Sequence, residues 1–248
     1  PVVFESNANG QIATIKFEEL TDSRDYMDIV WGVEEAVSRL EEGNDFRVVH
    51  LSSRNDGFLP NSMSLESMDK SKLGAVGRLI SGITLPTVAH VEKNAHGLGL
   101  EIVSCADVRV CSDRSKFSMD QIRNGLMPFE GGTQRLPRIV GIGRGLELIL
   151  TGRIFDSREA LEMGLVQYVS DQTHTSAVIT ESVLEAICNS GPIATRYFKE
   201  AVKSGSEMTL QDGLRLETDL NVILQSTFDR VEGISSFIEK RSPKFRGK

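Results

Sequence analysis

A strand that breaks at glycines into a helix constrains this chain more than any other feature. Pro86–Glu92 has the apolar character of a buried strand, and the glycine-bearing turn Asn94–Glu101 follows it. A helix-like stretch, 102–107, and a second strand, 108–112, come next. Beyond them, residues 117–137 carry a second glycine pair, Gly131 and Gly132. Where a strand gives way through glycines to a helix N-terminus, unpaired backbone N–H groups converge on one spot and can hold a developing oxyanion. Glu101 closes that turn and Glu130 stands beside the second glycine pair. Amide donors and carboxylates so placed point to enolate chemistry.

The rest of the chain repeats the same order of elements. Residues 11–17 alternate apolar and polar like a half-buried strand, and 46–52 read as a more buried one. Between them Tyr26, Ile29, Val30, Val33, Val37 and Leu40 fall at helical spacing. A further helical pattern over 73–83 precedes the Pro86 strand. Recurring strand, helix, strand crossovers predict an α/β fold with mainly parallel strands and ligand groups at strand ends and loops. After Gly141 the character changes. Residues 146–150 read as a helix stub, 157–164 as a capped helix ending in glycine, and 166–169 as a short strand. Beyond His174 helical patterns dominate, over 193–203, 210–228 and 231–240.

Composition bounds the function. With 248 residues, 40% of them hydrophobic, the chain has material for one large domain, or one domain and a small appendage. A formal charge of -7 without long Lys/Arg runs argues against a nucleic-acid surface. No apolar stretch approaches the roughly 18 residues of a membrane span, and the N-terminal residues lack a basic region followed by an apolar run. The expectation is a soluble cytoplasmic protein with neither nucleic-acid nor membrane partners. Cys105, Cys111 and Cys188 sit in apolar contexts without metal-ligand spacing, so they read as small buried hydrophobes in a reducing compartment. Neither His50, His90 nor His174 has local partners for a triad or a metal site, and none is expected.

Residues 131–152, with their Gly-Gly-Thr-Gln-Arg-Leu opening, residues 160–166 and the C-terminal 237–245 together resemble the crotonase, or enoyl-CoA hydratase/isomerase, superfamily. The resemblance spans essentially the full length. It implies a crotonase-like superhelix of strand-strand-helix turns, with a core over 1–190 and a C-terminal helical trimerisation region over 191–248. It also implies an acyl-CoA or acyl-carrier-protein thioester as substrate, coenzyme A entering only as part of that substrate, no prosthetic group, and a homotrimer or dimer of trimers. One oxyanion-hole amide falls on Leu98, between Gly97 and Gly99, where the family usually has glycine. The other falls on Ser62 or Met63. Glu101 matches one of the two catalytic glutamates of the hydratases. The second falls on Gln121, which cannot exchange a proton at neutral pH as a carboxylate can. Phe237 and Lys240 correspond to a pocket contribution from a neighbouring subunit.

Each of these residues also has a plainer reading. Glu101 could be a first-turn acid stabilised by the helix dipole. Glu130 could be a solvated loop carboxylate, His96 a hydrogen-bonding loop residue, Gln121 a structural amide, and Lys240 an exposed helix-end cation. The reading followed below has Glu101 and Glu130 as acid/base groups in double-bond isomerisation or hydration. Gln121, Gly97, Gly99 and His96 line the substrate. Carbon–carbon hydrolysis or decarboxylation at the same oxyanion site is the alternative, as is a non-catalytic acyl-CoA binder.

Overall fold

A computed structural model describes residues 2–18, 26–43, 45–53, 57–58 and 70–248. The strands are β1 (Val2–Ser6), β2 (Ile12–Phe17), β3 (Val48–Ser53), β4 (Thr87–Val91), β5 (Asn94–His96), β6 (Val108–Cys111), β7 (Lys116–Ser118), β8 (Phe155–Asp156) and β9 (Tyr168–Val169). The helices are α1 (Tyr26–Glu42), α2 (Ala75–Gly82), α3 (Leu98–Val103), α4 (Gly132–Val140), α5 (Ile142–Thr151), α6 (Ser157–Glu162), α7 (Ser176–Cys188), α8 (Pro192–Gly205), α9 (Leu210–Gln225) and α10 (Phe228–Ile238).

Six strands form one sheet in the order β1-β2-β3-β4-β6-β9. Only the β1–β2 pair in it is antiparallel. That agrees with the crossovers legible in the sequence. A second sheet, β5-β7-β8, lies beside it. It was not anticipated, because strands of two or three residues are too short to display an alternation.

The period of two along each strand divides the large sheet into two faces. Ala13, Ile15, Phe17, Val49, Leu51, Ala89 and Val91 face the main core, which also takes the apolar stripe of α1, α2 and α3. Val48, Val88 and Val110 face the other way and pack with Leu184 and Cys188 of α7. Burial on both faces explains why β3 and β4 read as continuous apolar runs. All three cysteines are buried and unbridged.

One boundary differs from expectation. The helix after the glycine turn begins at Leu98 rather than Ile102, so Glu101 lies inside it. Gly97 is the reason. Its φ of 50° reverses the chain in a region that L side chains rarely adopt, and its carbonyl already accepts from Glu101 N at 3.1 Å. The helix ends early because Asp107 N donates to Thr87 O at 3.1 Å and draws the chain back to the sheet. α6 starts at Ser157 as expected, capped by Asp156, whose Oδ1 accepts from Glu159 N at 2.9 Å.

Among the described residues no helix is long and apolar enough to cross a membrane, and no group of three or more His, Cys, Asp or Glu could hold a metal ion. The sheet centre carries much of the apolar burial. Leu51, fully buried on β3, is expected to cost about 2–5 kcal/mol when changed to alanine, read as a lower urea midpoint with an unchanged slope.

Candidate active site

The glycine turn places the start of α3 beside β7 and the chain that follows it. Gly97 N donates to Ser118 O at 2.9 Å, continuing the β5–β7 ladder by one bond before the helix begins. Because Gly97 takes the left-handed turn, Leu98 keeps an ordinary negative φ. A leucine is therefore accommodated at this position without backbone strain. None of the backbone hydrogen bonds among the described residues uses the Leu98 amide, which starts the first turn of α3. Ser62 and Met63, expected to supply the second amide, lie outside the described residues.

Gly99 serves packing. A Cβ there would lie 1.7 Å from the carbonyl oxygen of Phe58, so only glycine lets residues 57–58 close over α3. That segment is tied down by Phe58 N donating to Asn94 O at 2.6 Å. His96 is half-buried, and its Nδ1 pairs with Ser118 Oγ at 2.7 Å. Burial lowers its pKa, against the opposing charge of Asp120. No described bond joins His96 to Glu101.

Glu101 is fully buried. Four donors converge on its carboxylate. Oε2 accepts from Glu130 N at 2.6 Å and Gly132 N at 2.9 Å, while Oε1 accepts from Phe129 N at 3.3 Å and Gln121 Nε2 at 2.7 Å. The three amides come from the turn leading into α4, whose Gly131 and Gly132 carry no side chain to intervene. Burial penalises the charged form and pushes the pKa up to about 7, although the three amides pull the other way. A carboxyl poised near neutrality can both take and return a proton.

Gln121 donates from its Nε2 to Glu101 Oε1 at 2.7 Å. It is buried, and its Oε1 has no hydrogen-bond partner among the described residues. Glu130 is also buried, yet its carboxylate faces away from that of Glu101. It meets the hydroxyl of Tyr26 and accepts from Gly77 N at 2.5 Å. Burial raises its pKa as well. What Glu130 offers Glu101 directly is its backbone N–H.

Phe237 is 86% exposed at the end of α10, and Lys240 follows in a left-handed turn with φ of 53°. No described contact joins either of them to Glu101. A groove of about 1470 Å³ opens elsewhere, between the core and α7 and α8, lined by Arg109, Arg138, Ile179, Phe198, Lys199 and Val202. Neither Leu98 nor Glu101 lines it. Tyr26 was legible only as part of the apolar stripe of α1. The clue was its hydroxyl, since a tyrosine on a buried helix face must find a partner for its O–H.

Residues 35–248 match the family model described as enoyl-CoA hydratase/isomerase. Rat mitochondrial methylglutaconyl-CoA hydratase is 32% identical over 225 residues, covering 86% of this chain and 71% of the rat protein. Human mitochondrial enoyl-CoA hydratase domain-containing protein 2 is 33% identical over 227 residues, covering 86% of this chain and 78% of its own. The crystal structure of an enoyl-CoA hydratase from Bacillus anthracis superposes with a TM-score of 0.89 at 27% identity, covering 100% of this chain and 99% of that one. The chain belongs to the enoyl-CoA hydratase/isomerase family and has the crotonase fold.

The raised pKa of Glu101 also links stability to pH. The folded value, about 7, lies above the ordinary value of 4.5, so the fold favours the protonated form. That contribution is fully present below about 4.5 and is lost as pH rises through about 7. Relative to Glu101→Gln, which does not titrate there, the wild type should lose up to about 3 kcal/mol between pH 4 and pH 8. Urea denaturation of both proteins at several pH values measures the difference, and parallel pH profiles would show that Glu101 is not the group responsible.

Proposed function

We propose that this chain is an acyl-thioester enzyme in which Glu101 is the acid/base group and the Leu98 amide is one of two donors to the thioester oxygen. The observation that carries this reading is a buried carboxyl with a pKa of about 7, one helical turn from an amide without a described partner. Glu101 takes a proton from the carbon next to the thioester carbonyl. The electron pair moves onto the carbonyl oxygen as an enolate, and preorganised amides stabilise that charge. With Gln121 in place of a second carboxylate, the same Glu101 returns the proton to a different carbon, which is double-bond isomerisation. The carrier is coenzyme A, as the names of the relatives suggest, or an acyl-carrier protein.

Hydration is the second reading, favoured by relatives whose names are those of hydratases. Gln121 Oε1, an acceptor without a described partner, would then help to hold the attacking water while Glu101 handles its proton. Self-association through the C-terminal helices belongs to the same proposal. It is supported by exposed apolar side chains such as Phe198, Val202, Leu214, Val222, Val231 and Phe237.

Incubation with a 2-enoyl-CoA and a 3-enoyl-CoA, followed by mass spectrometry, separates the two chemistries, since hydration adds one water and isomerisation leaves the mass unchanged. Glu101→Gln should lower kcat on the productive substrate by about 10²–10⁴-fold, the usual contribution of a general acid/base. Unchanged turnover in that variant would remove Glu101 from the reaction. In the wild type, kcat/KM for isomerisation should rise with pH through about 7 as Glu101 ionises.

A further inference from the structure

Glu101 is held by one short turn, and that turn is in turn held from below. The Glu130 carboxylate meets the Tyr26 hydroxyl on α1 and accepts from Gly77 N at 2.5 Å on α2. The Tyr26 hydroxyl also lies 3.0 Å from Lys72 O. On the other side of the residue, Arg135 Nη1 donates to Glu130 O at 2.5 Å while its Nη2 reaches Gly77 O at 3.1 Å. Both ends of Glu130 are therefore fastened, and its N–H is left aimed at Glu101 Oε2. The Tyr26 ring packs edge-on against Phe129, with centroids 5.6 Å apart, and Phe129 supplies a second of the three amides.

We propose that Tyr26 and Glu130 are positioning residues for Glu101: their buried side-chain pair braces the Phe129–Glu130 turn against α1 and α2, and so fixes the amides that grip the Glu101 carboxylate. Glu130 is then not a second acid/base group. Both of its oxygens are engaged on the side away from Glu101. Removing the brace lets the turn relax, lengthens the amide bonds to Glu101, and withdraws hydrogen bonds that stabilise its ionised form. The expected consequence is a more weakly acidic Glu101. This inference rests on Glu101 being the acid/base group, but its first test does not.

The variants are Tyr26→Phe, which deletes one hydroxyl, and Tyr26→Leu, which also removes the ring packed against Phe129; both leave Glu130 in place. Glu101 is titrated in each by infrared difference spectroscopy of its carboxyl band, with the matching Glu101→Gln protein as the blank. The midpoint should rise by at least about half a pH unit in Tyr26→Phe, with Tyr26→Leu moving in the same direction. If 3-hexenoyl-CoA or crotonyl-CoA is turned over, the acid limb of kcat should move with it, kcat should fall several-fold, and KM should stay within about twofold. An unmoved or lowered Glu101 midpoint in a variant that still melts cooperatively overturns the proposal, because a merely structural pair would change the melting temperature and leave the titration in place. Should one variant fail to fold, the other decides. Wild-type turnover by Glu101→Gln would instead sink the catalytic reading, and the infrared result would still stand or fall by itself.

Discussion

A carboxyl removed from water and gripped by main-chain amides is the interaction on which the rest of this site depends. Burial favours the neutral form of Glu101, and the hydrogen bonds favour the ionised one. The Phe129, Glu130 and Gly132 amides and the Gln121 side chain offset much of the burial, and the balance falls near neutrality. A residue placed in that balance can exchange protons with carbon only if its donors stay where they are. The surrounding architecture, from the glycine turn to the helices beneath it, serves that requirement.

The parallel sheet supplies the frame. With both faces covered, by the main core on one side and α7 on the other, β3 and β4 are fixed in register. The chain leaving β4 must reach the second sheet within a few residues. It enters β5 at Asn94, Gly97 then reverses it into α3, and Gly99 lets Phe58 close against that helix. The Leu98 amide and Glu101 are thereby set one helical turn apart on a short rigid helix, a better mount for chemistry than a loop. Leu98 needs no unusual backbone angle because that angle belongs to its neighbour Gly97.

An amide rather than a carboxylate at position 121 decides the electrostatics as well as the proton inventory. A glutamate at that position would set two negative charges side by side and push the two titrations apart. The amide instead donates to Glu101 and stabilises its charge. The carboxylate that is present nearby, Glu130, is held on the opposite side of the turn by Tyr26 and the Gly77 amide of α2. Two acids a short distance apart therefore have different surroundings, Glu101 among the amides of the turn and Glu130 against α1 and α2.

The sequence by itself determined whatever depends on neighbours along the chain. Alternation over 11–17, helical spacing over 26–40 and the break at Gly97 all follow from local periods and backbone freedom, so the parallel α/β frame and the glycine turn ahead of Glu101 were legible. The Gly-Gly-Thr-Gln-Arg-Leu block at 131–136 carried the family. The direction in which Glu130 points was decided only in three dimensions, since its partner Tyr26 lies 104 positions away and its other partners sit on a third element. The same holds for the near-neutral pKa of Glu101, which arises from burial and from amides roughly thirty positions further on. Periodicity tells which face of an element is buried; what a buried polar group meets there depends on packing between segments remote in the chain.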